Sequence, residues 1–285
     1  ESGTTTITNT IIKNNAGYTA GYGINAHGEG SITLINNTFS NNTRTAQISL
    51  TKDFNHSGNT SNDTYDRGFK LYGEITKDTT WHSSDLPILI DSVITVPVGK
   101  TLTVKPGTII KMGDVRGNGS IEVYGNLIEE GTADSKIYFT SKKDDSVGGD
   151  TNGDGDNTLP NKRDWFGMIF HPGSATDFKH TSMKYSGFNG NGEYLSGVAA
   201  TIYNRGGEFS LEDSIISDSS VSIFQDLGTT TISKSELISS EYDVWSRGGS
   251  ITISQSSLLG QVYGVYNQSG IDLGPWWQTK PLQII

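Results

Sequence analysis

Residues 144–157 hold the densest polar chemistry in the chain: Asp144-Asp145-Ser-Val-Gly-Gly-Asp150-Thr-Asn152-Gly-Asp154-Gly-Asp156-Asn157. Asp150, Asn152 and Asp154 stand at alternate positions with Gly155 behind them, the first half of a D-x-N-x-D-G calcium loop. Calcium takes about 6 to 8 oxygens at close range. A chain must curl tightly to present that many, and Gly153 and Gly155 permit the curl. The Glu that closes an EF-hand loop is replaced by Asn161, and no flanking helices are expected. The spacing therefore predicts a Ca²⁺ ion held by Asp145, Asp150, Asn152, Asp154 and Asp156, with a structural role. A solvated acidic loop is the alternative. Lys162 and Arg163 follow directly, so a basic group stands close enough in sequence for a catalytic variant.

A second constellation is aromatic. Tyr203, Phe224, Trp245 and Tyr266 recur at intervals of 21 residues, each directly after an aliphatic residue of the column Ile202, Ile223, Val244 and Val265. If the aliphatic residues face inward, alternation along a strand turns the aromatic ones outward. Asn204, Gln225, Ser246 and Asn267 come next, then Arg205, Asp226, Arg247 and Gln268. A flat aromatic strip edged by amides and by Arg205 and Arg247 suits a polysaccharide, whose rings offer apolar faces and whose hydroxyls need directional partners. Two other arrangements fit the same spacing: a stack filling a corner of the fold, or burial beneath Pro275-Trp276-Trp277.

Other catalytic patterns are missing from the sequence. The five histidines are scattered without metal-ligand spacing, and no Ser-His-Asp set can be placed. Glu129-Glu130 and Glu212-Asp213 are adjacent in sequence, so on a strand they face opposite ways; carboxylates from neighbouring coils remain open as a pair. Thr231 and Thr252 align, but Ser210 precedes them, so no regular threonine ladder for ice forms.

The elements that must position these groups follow from the repeat. Residues 197–270 copy themselves every 21 residues. Ile202, Ile223, Val244 and Val265 form one column, Leu211, Ile232 and Ile253 a second, and Ile216, Leu237 and Leu258 a third. Gly207, Gly228, Gly249 and Gly270 mark the turn. Such a period, built from apolar alternations of two between Gly, Asn and Ser, indicates a solenoid. Three short strands per coil describe a right-handed parallel β-helix, an all-β fold. At about 20 to 25 residues per coil the chain makes roughly 11 to 13 coils. At ~4.8 Å per coil the rod is on the order of 50 to 60 Å long.

Residues 1–65 read as Asn/Thr-rich N-terminal coils, in which Asn9-Thr-Ile-Ile12-Lys-Asn-Asn15 returns as Asn36-Asn-Thr-Phe39-Ser-Asn-Asn42. Asn tolerates left-handed turns, and stacked Asn side chains can form ladders. Residues 55–68 lose periodicity and read as a loop, so a discontinuity is expected near 60–80. Residues 66–285 form the main β-helix, interrupted by the acidic insertion at about 144–163. Between residues 93 and 170 come Val93-Ile-Thr-Val-Pro97, Gly99-Lys-Thr-Leu-Thr-Val104, Pro106-Gly-Thr-Ile-Ile-Lys111, Ser120-Ile-Glu-Val-Tyr-Gly-Asn-Leu-Ile128, Lys136-Ile-Tyr-Phe-Thr-Ser141 and Asp164-Trp-Phe-Gly-Met-Ile-Phe170. Each run is closed by Gly or Pro-Gly.

This succession, with GGDTNGDG between, resembles the right-handed parallel β-helix repeat domains of large bacterial secreted and cell-surface proteins. The likeness is close over residues 80–187 and looser over the 21-residue coils, and Gly274-Pro-Trp-Trp277 resembles a segment that often ends such arrays. It implies an extracellular, commonly multidomain protein. It fixes no activity, because this fold hosts lyases, hydrolases, adhesins and spacers.

Composition agrees with a thin core: 33% of the 285 residues are hydrophobic and 35 are Gly. A net charge of −10 without a basic cluster argues against nucleic acid and anionic membrane surfaces. With no Cys, thiol chemistry and disulfides are excluded. No apolar run is long enough for a membrane span. The expectation is a non-catalytic extracellular module that binds polysaccharide or cell-surface glycan, or adheres, with structural Ca²⁺. A calcium-assisted polysaccharide lyase or glycoside hydrolase, and a plain structural stalk, are the alternatives.

Overall fold

The computed structural model describes residues 3–17, 21–83, 85–113, 119–187, 200–239 and 241–268. The chain is a parallel β-solenoid of about 11 turns, with 58% of residues in strands. All strand pairings between coils are parallel, and each coil contributes up to three short strands to the faces of the rod. One ten-stranded sheet runs from Tyr22–Ala26 to Ser257–Leu258 and passes straight through the region around residue 65. The other faces change there. Two three-stranded sheets end with Lys52–Ser57 and Thr60–Asn62, and a twelve-stranded sheet begins with Thr79–Trp81.

The twelve-stranded sheet covers two faces because the long strands Ala200–Glu212 and Val221–Ser233 bend from one face to the next without leaving extended conformation. Register shifts at Asn204, Arg205 and Glu208 make the corner. Gly228 sits at that corner with φ +84°, where a side chain would meet the Gly207 carbonyl oxygen at 2.3 Å. A larger residue is excluded on both counts.

Each expected aliphatic column exists. Ile94, Ile121, Met168, Ile202, Ile223, Val244 and Val265 follow one another in register through successive coils. Leu211, Ile232 and Ile253 form a second column, and Ile216, Leu237 and Leu258 a third. Gly270 and Pro275-Trp276-Trp277 lie outside the described residues. Because identical positions stack at one coil spacing, an aliphatic residue within the stack loses its water on both sides, which makes a narrow core sufficient, while Ile253, Leu258 and Val265 toward the end are partly buried.

The N-terminal coils hold amide ladders. Asn37 Oδ1 accepts from the Thr10 amide, and Asn59 Oδ1 accepts from the Asn37 amide and side chain, each at 3.0–3.1 Å. Asn42 receives Asn15 in the same way, and Asp63 receives Asn42. Asn9, Asn14, Asn36 and Asn41 take φ between 51° and 63° at the turns. Residues 55–68 are strands rather than a loop: Lys52–Ser57, Thr60–Asn62 and Tyr65–Tyr72. Their apolar periodicity is missing because Asn59 and Asp63 face inward and are paired in the ladders, so burial there is polar.

Candidate metal centre and outward aromatic column

The acidic insertion leaves strand Ile137–Ser141 and folds back along the outside of the ten-stranded sheet toward the N-terminal coils. Lys70, Leu89, Lys111 and Thr140 occupy one outward row of that sheet. The last three are buried. Thr140 donates to the Asp144 carboxylate at 2.5 Å. Lys111 Nζ donates to the carbonyls of Asp144 and Gly149 at 2.8 and 2.5 Å. Farther on, the Arg67 amide donates to the Thr151 carbonyl at 2.9 Å, and its guanidinium holds the Asp150 carboxylate at 2.9 Å. Gly153, at φ +75°, lies so close to Thr64 that a side chain would come within 1.7 Å of its carbonyl oxygen. Lys142 joins Asp66 to Asp91 beneath the strap. The insertion thus crosses four coils and grips the place where two sheets end and another begins.

Within the strap the structure brings Asp145, Asp150 and Asp154 together, one carboxylate oxygen of each lying within 4.8 Å of the others. Asp145 Oδ1 and Asp154 Oδ1 are buried without a hydrogen-bond partner, and so is Asn152 Oδ1 between them in sequence. Orphaned buried acceptors cost about 1–3 kcal/mol each, and all three atoms are of the kind that ligates hard cations. Asp150 is tied down from the other side, accepting the Gly153 and Gly155 amides at 2.7 and 3.0 Å. Burial holds the Asp145 carboxyl above its ordinary range, and the charges of Asp150 and Asp154 add to the effect against Lys111. Burial also pulls Lys111 down to about 8, opposed by Asp144, Asp145 and Asp150.

Four of the five expected ligands therefore have chemistry suited to a cation. Asp156 is not in the convergent group; it is exposed in the short 3-10 turn Gly155–Asn157, which carries it past the cluster. Arg163 points elsewhere, donating to Ser220 and Glu241 at 2.7 and 3.2 Å. Sequence reasoning missed Arg67, Lys111 and Lys142. Lys111 alone left a trace, as a lysine inside the apolar strand Ile109–Met112.

The aromatic residues stack in register as spaced, Tyr203 on Phe224, Phe224 on Trp245 and Trp245 on Tyr266, with ring centroids 5.0–5.7 Å apart. They do point away from the main core. The open strip is corrected at its first two members, since Tyr203 is 1% and Phe224 0% exposed in a second small cluster with Ile169, Ala200 and Val221. Side chains of the next turns close over them. Tyr203 donates to Asp226, Arg247 donates to the same carboxylate, and the Arg247 guanidinium lies 4.6 Å above the Phe224 ring. Arg205 is exposed beside Tyr203, at 5.6 Å from its ring. Trp245 and Tyr266 are half-buried and join Tyr242 and the 49% exposed Tyr263. Asn204 and Gln225 do not edge a strip. Both are fully buried and satisfy turn carbonyls, Asn204 on Gly207 and Gln225 on Gly248.

No protein-family model, curated protein or solved structure matches the chain.

Proposed function

We propose that this chain is a calcium-stabilised, non-catalytic β-solenoid module of a bacterial extracellular or cell-surface protein, part of a larger multidomain chain, whose outer faces bind carbohydrate. The observation that carries the calcium part is the set of orphaned oxygens on Asp145, Asn152 and Asp154 beside Asp150. A divalent cation would satisfy all of them and remove the repulsion among three carboxylates. Its role is mechanical. The strap meets the rod through Arg67, Lys111 and Lys142, and a cation that fixes its curl fastens the N-terminal coils to the central ones. The carbohydrate part is supported by long polar outer faces and by the partly exposed rings of Trp245, Tyr263 and Tyr266.

Binding to the folded state alone stabilises it by about 2.7 kcal/mol at a hundredfold excess over Kd. Calcium added to chelator-treated protein should raise the melting temperature, and terbium should give sensitised emission that calcium displaces. Asp154→Ala should abolish both responses. Identical melting with and without calcium, and no terbium emission, would reduce the strap to a loop held by its ion pairs.

A further inference from the structure

The register that stacks the coils also opens a groove of about 670 Å³ on another face of the rod. Its floor is the outward side of strands Asn126–Glu129, Ala175–Lys179, Ala200–Glu212 and Val221–Ser233. One row carries Asn126, Ala175, Glu208 and Thr229 in register. The second carries Ile128, Asp177, Ser210 and Thr231. Neither row belongs to the acidic strap or to the aromatic column.

We infer that this groove binds an uncharged glycan chain lying along the rod axis. The inference rests on the carbohydrate reading above and gives it a place and a substrate class. Rows repeat at the coil spacing of ~4.8 Å, so a polymer of hydroxylated rings meets a new pair of side chains at each coil. Asp177 and Glu208 accept hydrogen bonds from sugar hydroxyls, and charged acceptors make the stronger bonds. Asp177 is already oriented by the Ser210 hydroxyl at 2.5 Å. Thr229 and Thr231 are exposed and can donate or accept. Ile128, 38% exposed, and the exposed Ala175 supply apolar contact for ring C–H faces.

Charge selects among ligands. Two carboxylates in the groove, on a chain of net charge −10, oppose uronate or sulfate polymers. A protein partner is poorly served, because interface hot spots are aromatic and Arg anchors in apolar pockets, and Phe209, the one aromatic ring among the described lining residues, is 3% exposed.

The test is calorimetric titration of the full chain with cello-, manno- and chito-oligosaccharides and with oligogalacturonate. A neutral probe should bind and oligogalacturonate should not. Asp177→Ala and Glu208→Ala should each weaken binding roughly tenfold or more, the size of a lost hydrogen bond to a charged group. These outward positions should leave the melting temperature unchanged. Preference for oligogalacturonate overturns the inference. So does binding that survives the groove variants and disappears with Trp245→Ala, which keeps the carbohydrate reading and moves it to the aromatic patch. Binding of none of the probes overturns both.

Discussion

The coils before residue 63 and those after residue 200 close the same kind of rod with different interior chemistry. In the first, Asn37, Asn42, Asn59 and Asp63 are buried, and each amide side chain passes its hydrogen bonds to the coil above. In the second, Ser214, Ser235 and Ser256 take the corresponding backbone amide of the coil before, at 2.9–3.2 Å. Each of these hydroxyls spends its proton on a carbonyl two residues back in its own coil, at 2.7–2.8 Å. A serine unit is therefore closed within its coil and can be copied indefinitely. An asparagine ladder is not closed. Its last member must accept without donating, and both ladders end on a carboxylate: Asp63 for Asn42 and Asp85 for Asn59.

The largest effect should come from the aliphatic coils. Ile232 is fully buried between Leu211 and Ile253. Ile232→Asp would place an unpaired charge there, at a cost of roughly 3–5 kcal/mol. Ser233→Asp, one residue on and facing outward, should stay within about 0.5 kcal/mol. Equal losses in urea unfolding would mean that the inward and outward rows are wrongly assigned.

A break in a ladder should come next. Asn59→Ala leaves the Asn37 amide, the Leu34 carbonyl and one side of Asp85 without partners. At about 1–3 kcal/mol for each orphan, a total near 3 kcal/mol is expected. Ser235→Ala strands the Ser214 amide, while the Ser233 carbonyl keeps the Asp213 amide, and should cost about 1 kcal/mol. Matched losses would show that the two corner chemistries are energetically alike.

The difference between the halves also explains what could be read from the sequence. The 21-residue columns were legible because apolar residues inside a solenoid repeat in type as well as place. Residues 55–68 were not, because Asn59 and Asp63 are polar residues buried by their partners, and partners are invisible in a single strand. The acidic cluster was legible through the Asp150, Asn152, Asp154 spacing. Its seat was not, since Arg67 meets Asp150 across 83 residues of sequence and Lys142, at the foot of the strap, reaches Asp66 across 76. Likewise the burial of Tyr203 and Phe224 depends on Asp226 and Arg247 folding back from later positions, which alternation along a strand does not foretell.

Acid should attack the ladder end first. Burial, then the neighbouring His56, lowers the affinity of His82 for its proton, against Asp85. Asp85 is held below the ordinary carboxylate range by its bonds to His56 and Asn59 despite burial. Both folded values are depressed, so the stability they contribute is present above the unfolded values and lost as pH falls through the folded ones. Hydrogen exchange at pH 3, below the ordinary carboxylate value, should therefore show the amides of Asn37 and Asn59 opening before those of Ser214 and Ser235. Simultaneous opening would remove the ladder end as the acid-sensitive point.

Glu129 asks what happens when a polar group enters an aliphatic column without a ladder. It pairs in register with Val104, is buried, and accepts a hydrogen bond from the Thr181 hydroxyl, while its second oxygen has no partner. Burial holds its carboxyl well above the ordinary range, with the charge of Asp177 adding and the Thr181 bond opposing. The folded chain thus keeps a proton that the unfolded chain gives up. Its contribution is fully present below the ordinary carboxylate value and declines as pH rises toward the folded value. Glu129→Gln should remove that decline, because an uncharged amide of the same shape has no proton to lose. Melting temperatures of the two proteins should be close at pH 4 and diverge in favour of the variant at pH 8. A constant difference across that range would mean that Glu129 is already ionised in the folded rod, with its charge met by something other than Thr181.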